Sequence, residues 1–211
     1  MSYEAFLQLA KSRRSIRKFL KTPLPEGAVE KIIKAASHAP SARNTQPWEF
    51  VVVQDPEVKK EVDQKLLENM PPMVPKGFVD APAYVFLFGD TRVRPYIPGP
   101  EEGAEEHWRF NLCASMSCAF DHMFLAAASL GLGAMWVSAV RSPKVDAVIK
   151  EILGVHPDLL IFQMMALGYS DMVAQSKKMR AFDRMIHYDK GSPGDYRSES
   201  EVESFFNISP A

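Results

Sequence analysis

Two groups of cations stand far apart in the chain. Arg13, Arg14, Ser15 and Arg17 fall within SRRSIRKF near the start, and Lys177, Lys178 and Arg180 fall within SKKMR much later. Planar guanidinium forks with a hydroxyl close by are the donor set that a phosphate dianion takes. Taken alone, each group reads as a solvated charged stretch. A third segment, SARNTQPWEFVVV, raises a different question. Its second half, Phe50 to Val53, is a β-branched and aromatic run that reads as a buried strand. Its first half crowds Ser41, Arg43, Asn44, Thr45 and Gln46 against that strand. Such side chains either shape a turn or face something polar and flat.

Other chemistries lack their residues. LGLGAMW contains G-x-G without a third glycine, and it follows a helical pattern and precedes a strand, the reverse of a dinucleotide fingerprint. No P-loop, H-E-x-x-H or G-x-S-x-G is present. The histidines at 38, 107, 122, 156 and 187 show no ligand spacing, and Cys113 and Cys118 offer none either, so no metal is expected. Those cysteines lie on different faces of a helical pattern, which argues against a disulfide. A net charge of -1 excludes any global attraction to nucleic acid or anionic membrane. The N-terminal residues lack the apolar core of a signal peptide, and no apolar run is expected to reach membrane-spanning length. Together these lead to an expected cytoplasmic location.

With 211 residues and 46% hydrophobic composition, the chain suits a single domain with a sizeable core. Helical spacing covers Tyr3 to Lys11, Ala28 to Ser37, a segment opened by Asp55-Pro56, Asn111 to Leu130, and a segment from Ser142-Pro143 to Gly154. Strand patterns cover Phe50 to Val53, Ala83 to Gly89, Ala134 to Val140 and Leu159 to Leu167. Mixed elements in this order predict an α+β or α/β domain spanning 1–211. The stretch 70–78 reads as irregular. The polar stretch 91–108 reads as a long loop, either a lid over a substrate or a surface insertion. The tail beyond about 188 reads as a C-terminal extension.

The arrangement resembles the FMN-dependent nitroreductase family. The resemblance rests on RRSIRKF, APSARNTQPWEFVVV, AFDHMFLAAASLGLGAMWV, a strand ending in ALGY, and KMR shortly after. It implies an α+β nitroreductase-like fold, with a central, mostly antiparallel sheet flanked by helices in an intertwined homodimer. It also implies FMN bound at the interface between the two chains. Arg13, Arg14, Ser15 and Arg17 would hold the flavin phosphate together with Lys178 and Arg180. Asn44 would bond the polar edge of the ring, and Gln46 would either hold the loop or touch the ribityl chain or ring edge. Pro40, Ser41 and Ala42 would approach the partner's flavin, and Trp48 would belong to the core. Ser138 and Ala139 would lie at the flavin N5 edge.

The resemblance also implies a ping-pong reaction. NAD(P)H gives hydride to the flavin, which passes it to a small flat oxidant such as a nitroaromatic or a quinone. No side chain is expected to act as a catalytic group. Phe78, Tyr96, Trp108 and Phe110, drawn from the least family-like segments, are candidate substrate contacts, and Arg43 would reach either the cofactor or the incoming substrate. Two alternatives stay open: a flavin-binding sensor or carrier without turnover, and a dehalogenating or flavin-fragmenting relative on the same fold.

Overall fold

The computed structural model describes residues 2–71, 75–172 and 177–207. Two compact units are present, 1–174 and 175–211. The extension expected after about residue 188 lies within the second.

In the first unit, ten-residue helices form at α1 (Tyr3–Ser12) and α2 (Ala28–Ser37). Four strands follow: β1 (Trp48–Val53), β2 (Ala83–Asp90), β3 (Gly133–Val137) and β4 (Leu159–Gly168). Three helices intervene: α3 (Pro56–Asn69), α4 (Ala104–Ser129) and α5 (Pro143–Leu153). The strands pair antiparallel throughout in the order β1-β2-β4-β3. The helix starts follow their caps. Asp55 accepts from the Glu57 and Val58 amides at 2.9 and 3.0 Å ahead of Pro56, and Ser142 accepts from the Val145 amide at 3.3 Å ahead of Pro143. Gly154, at φ 62, closes α5 in the left-handed region that glycine adopts freely.

Alternation along the strands divides the core in two. Val85, Leu87, Met165 and Leu167 face α2 and α4. Tyr84, Phe86, Phe88, Met164 and Ala166 face the other way, sharing a core with Leu66 of α3 and Ile149 of α5. The sheet is thus covered on both sides, which explains why AYVFLFG reads as one continuous apolar run.

Four expectations need correction. First, β3 stops at Val137, and Ser138–Arg141 is a 3-10 turn. Val137 and Val140 both enter the α3/α5 core, and residues three apart share a side in a 3-10 turn but not in a strand. Second, α4 begins at Ala104, earlier than Asn111. Glu105 and Glu106 in its first turn suit the positive end of the helix dipole, and Glu105 holds Arg109 one turn on at 2.8 Å. Third, the 91–108 segment is therefore not one long loop. Thr91–Tyr96 is a 3-10 turn capped by Asp90, whose carboxylate accepts from the Arg92 amide at 2.9 Å, and only 97–103 stays irregular before α4. Fourth, α4 is long and apolar enough, by length and composition, to cross a bilayer. In this chain its apolar residues Met116, Phe120 and Met123 are wholly buried against the sheet.

Part of the irregular stretch, residues 72–74, lies outside the described residues; Gly77–Asp80 beyond it is a 3-10 turn. A polar cluster ties that turn to α3. Lys59 Nζ donates to Asp63 at 2.7 Å and to the Val79 carbonyl at 2.5 Å, and Tyr84 donates its phenol proton to Asp63. Burial, with Asp63 alongside, holds the Tyr84 phenol far above its ordinary range.

The second unit carries 3-10 turns at Asp183–Met185 and Pro193–Asp195 and a helix, α6 (Glu199–Asn207). Removing Asp63 strands both a cation and a buried phenol. Asp63→Ala is expected to lower unfolding free energy in urea by about 3 kcal/mol. Lys65→Ala, which breaks only a half-exposed pair with Glu68, should lower it by less than about 1 kcal/mol. Equal effects would contradict the role given to the cluster.

Candidate functional site

The first basic group is fixed by β3. Arg13 ends α1, its amide still bonded to the Leu9 carbonyl at 3.1 Å. Two residues later Ser15 forms a parallel bridge with Ala134, and the Ile16 amide donates to the Ala134 carbonyl at 3.0 Å. Gly133 makes this close approach possible, since a Cβ there would lie 2.8 Å from Ile16. The second glycine of LGLG thus serves packing rather than a dinucleotide.

Beside this junction lies a cavity of about 250 Å³ lined by Arg13, Arg14, Phe124, Gly131, Ala134 and Ser170. The Arg13 guanidinium lies 5.8 Å from the centre of the Phe124 ring, a cation–π contact. Arg14 bonds the carbonyls of Lys11 and Arg13. Arg13 and Arg14 therefore come together at one opening. Ser15 contributes its backbone to the bridge, and Arg17 is exposed beyond it. Lys178 and Arg180 belong to the second unit. There Lys178 donates to the Phe205 carbonyl at 2.5 Å, and Arg180 to the Arg184 carbonyl at 3.3 Å.

The polar segment before β1 adopts a conformation that most side chains avoid. Arg43, Asn44 and Gln46 have φ of 51, 56 and 45°. Asparagine tolerates the left-handed region, but the other two cost roughly 1 kcal/mol or more each. Hydrogen bonds offset that strain. The Ala42 amide donates to Ser115 Oγ at 3.0 Å, and Ser115 in turn donates to the Asn111 carbonyl at 2.7 Å. Ser41 Oγ accepts from the Gln46 amide at 3.0 Å, and Thr45 donates to the Ala42 carbonyl at 2.9 Å. Gln46 Nε2 reaches Asn44 Oδ1 at 3.2 Å. The result is a rigid turn with Pro40, Arg43, Asn44 and Gln46 exposed, Ser41 and Ala42 half-buried, and Trp48 in the core beneath. Ser115, on α4, was not singled out from sequence. A serine inside a long apolar helix gives no signal until its partner is known.

Ser138 is exposed and Ala139 half-buried in the turn after β3, so an N5 contact would come from that turn rather than from a strand. The aromatic candidates separate. Phe78 is wholly buried, edge-on to Tyr84 with ring centres 6.1 Å apart, which makes it a core residue and not a substrate wall. Tyr96 is exposed. Trp108 is buried and walls a cavity against β4, while Phe110 lines a separate shallow depression with Glu106 and His107. Among the described residues, no group of histidine, cysteine and carboxylate side chains is placed to hold a metal ion.

Comparisons with known proteins converge. The family model described as Nitroreductase family matches residues 10–169. A Methanothermobacter thermautotrophicus protein, provisionally named NADH dehydrogenase/NAD(P)H nitroreductase, is 32% identical over 188 residues, covering 87% of this chain and 86% of that protein. Iodotyrosine deiodinase 1 of Rattus norvegicus is 41% identical over only 69 residues, 33% of this chain and 24% of that one. The solved structure of an FMN-dependent nitroreductase from Clostridium difficile superposes with a TM-score of 0.69 at 24% identity, over 88% of this chain and 99% of that one, a likeness of fold.

If Ser115 holds the strained turn, Ser115→Ala leaves the Ala42 amide without its acceptor. That change is expected to cost about 1–3 kcal/mol and to speed hydrogen exchange at Ala42. Unchanged protection at Ala42 would rule out the role assigned to this hydroxyl.

Proposed function

The chain belongs to the nitroreductase family, and from that premise we propose an FMN-dependent oxidoreductase that takes hydride from NAD(P)H and reduces a small flat acceptor. One observation carries the cofactor assignment: the cavity at the α1–β3 junction, where Arg13 and Arg14 meet over a glycine-bearing turn. A phosphate monoester needs cations close to main chain without intervening side chains, and this junction supplies both. The rigid turn with Asn44 and Gln46 exposed suits the other end of the cofactor, where a flat heterocycle presents alternating donors and acceptors. The donor set thus fits FMN.

In this reading Arg13, Arg14, Ser15 and Arg17 hold the phosphate. Asn44 and Gln46 bond the ring edge, and the turn carrying Ser138 and Ala139 borders the reactive face. When bound, FMN supplies two-electron chemistry in separate reductive and oxidative half-reactions, a ping-pong scheme. The chain's own part is to bind, orient and exclude water, because no nucleophile with an adjacent base is required. A homodimer is part of the same reading. Phe110, Trp136 and Leu160, on α4, β3 and β4, remain 71, 40 and 43% exposed, and large apolar groups left in water favour a covering partner.

A second reading draws on the local likeness to iodotyrosine deiodinase. Reductive loss of iodide from an iodophenol would use the same residues. Iodide release set against nitroarene reduction separates the two. Absence of NAD(P)H oxidation with either acceptor would leave a flavin carrier.

Arg13→Ala is expected to weaken FMN binding by about 1.5–3 kcal/mol, the worth of a charge-assisted bond, read by equilibrium dialysis. Full flavin retention by a variant in dilute solution would remove that residue from the phosphate site. Light scattering should report a dimer; a flavin-loaded monomer would contradict the shared site.

A further inference from the structure

An arginine that receives an anion has to be held in place without losing its charge or its donors. A carboxylate partner fixes a guanidinium but offsets its charge and occupies its N–H groups. The face of an aromatic ring fixes it and does neither. Arg94 shows the first arrangement. It lies 5.6 Å from the centre of the Trp108 ring, yet Glu105 at 2.6 Å already offsets its charge. Arg13 shows the second. Its guanidinium lies 5.8 Å from the centre of the Phe124 ring, and its side chain makes no hydrogen bond or ion pair among the described residues. The ring is itself braced. Phe124 is only 4% exposed and stacks on Trp136 of β3, with ring centres 5.9 Å apart and planes at 22°. Phe120 meets Phe124 edge-on at 5.3 Å and Trp136 edge-on at 4.5 Å, so three rings fix one another. Arg13 and Phe124 both line the cavity at the α1–β3 junction.

We propose that Phe124 is a positioning residue of the phosphate site: its ring holds the Arg13 guanidinium at the cavity with charge and donors intact, and through Arg13 it sets the preference for a phosphorylated flavin over the same flavin without phosphate. The proposal rests on the FMN reading above. Phe124 has no group that bonds a phosphate, so its effect passes through Arg13. The main chain there is fixed separately, by the bond to the Leu9 carbonyl and by the bridge from Ser15 to Ala134. With main chain and guanidinium both ordered beforehand, little freedom is left to lose when the anion binds.

Riboflavin differs from FMN only in lacking the phosphate, so the ratio of their affinities isolates this contribution. Equilibrium dialysis of the purified protein is expected to show FMN bound more tightly than riboflavin. Phe124→Leu keeps an apolar side chain but removes the ring face. It should lower the ratio roughly 3- to 10-fold, the scale of one cation–π contact, by weakening FMN and leaving riboflavin unchanged. In an Arg13→Ala background the same substitution should no longer move the ratio, because the group it acts through is gone. Equal weakening of both flavins would assign Phe124 to packing alone and overturn the proposal. An unchanged ratio in Phe124→Leu would overturn it as well, and so would an undiminished fall in the Arg13→Ala background. All three results leave the FMN reading standing. An unaltered protein that binds FMN no more tightly than riboflavin would overturn that reading and the proposal with it, so the two failures are distinguishable.

Discussion

Met116, Phe120 and Met123 have no exposed surface, and together they hold α4 against Val85 and Leu87 of β2 and Met165 and Leu167 of β4. Each such side chain stabilises the fold by about 1.5–3 kcal/mol relative to exposure. The proposed chemistry hangs from that one helix. Its middle presents Ser115 to the strained polar turn, its C-terminal half places Phe124 under Arg13, and its N-terminal half forms the wall of the cavity against β4 with Trp108 and Cys113. A helix locked this firmly keeps three separate surfaces in fixed register. Small cofactor-holding contacts need that rigidity, since a displacement of about 1 Å can cost large factors in rate.

Strain is concentrated where the proposed function needs it. Arg43 and Gln46 sit in left-handed backbone within one short turn, each backed by hydrogen bonds to the loop or to α4. A relaxed loop would cost less but would present Asn44 and Gln46 in many orientations. Elsewhere in the first unit, positive φ among the described residues falls on glycines, apart from Asn44 in this same turn. The turn therefore reads as a preorganised surface, and its side chains gain directionality from backbone energy held by Ser115 and Ser41.

Much of this was legible in the chain itself. Apolar periodicity and caps placed α2, α3 and α5 nearly to the residue, because Asp55-Pro56 and Ser142-Pro143 act locally. The strand cores were equally plain, and Trp48 does belong to the core. The misses share a cause. The start of α4 was hidden by a glycine- and glutamate-rich stretch whose helical preference depends on dipole and side-chain pairing rather than on apolar spacing. The end of β3 depended on which core Val140 enters, and Phe78 on the network that seals the core around it. Ser115 carried no local pattern at all. Its meaning comes from a neighbour 73 residues away.

The central claim is that these surfaces exist to hold a redox-active flavin. Its most direct test is the visible absorption spectrum of the purified protein, reconstituted with FMN where needed, before and after anaerobic NADH or NADPH. A flavin spectrum that bleaches on addition of the reduced nicotinamide is the result expected. A protein that stays colourless and cannot be reconstituted with FMN would contradict the reading of the Arg13–Arg14 cavity and of the Asn44 turn together.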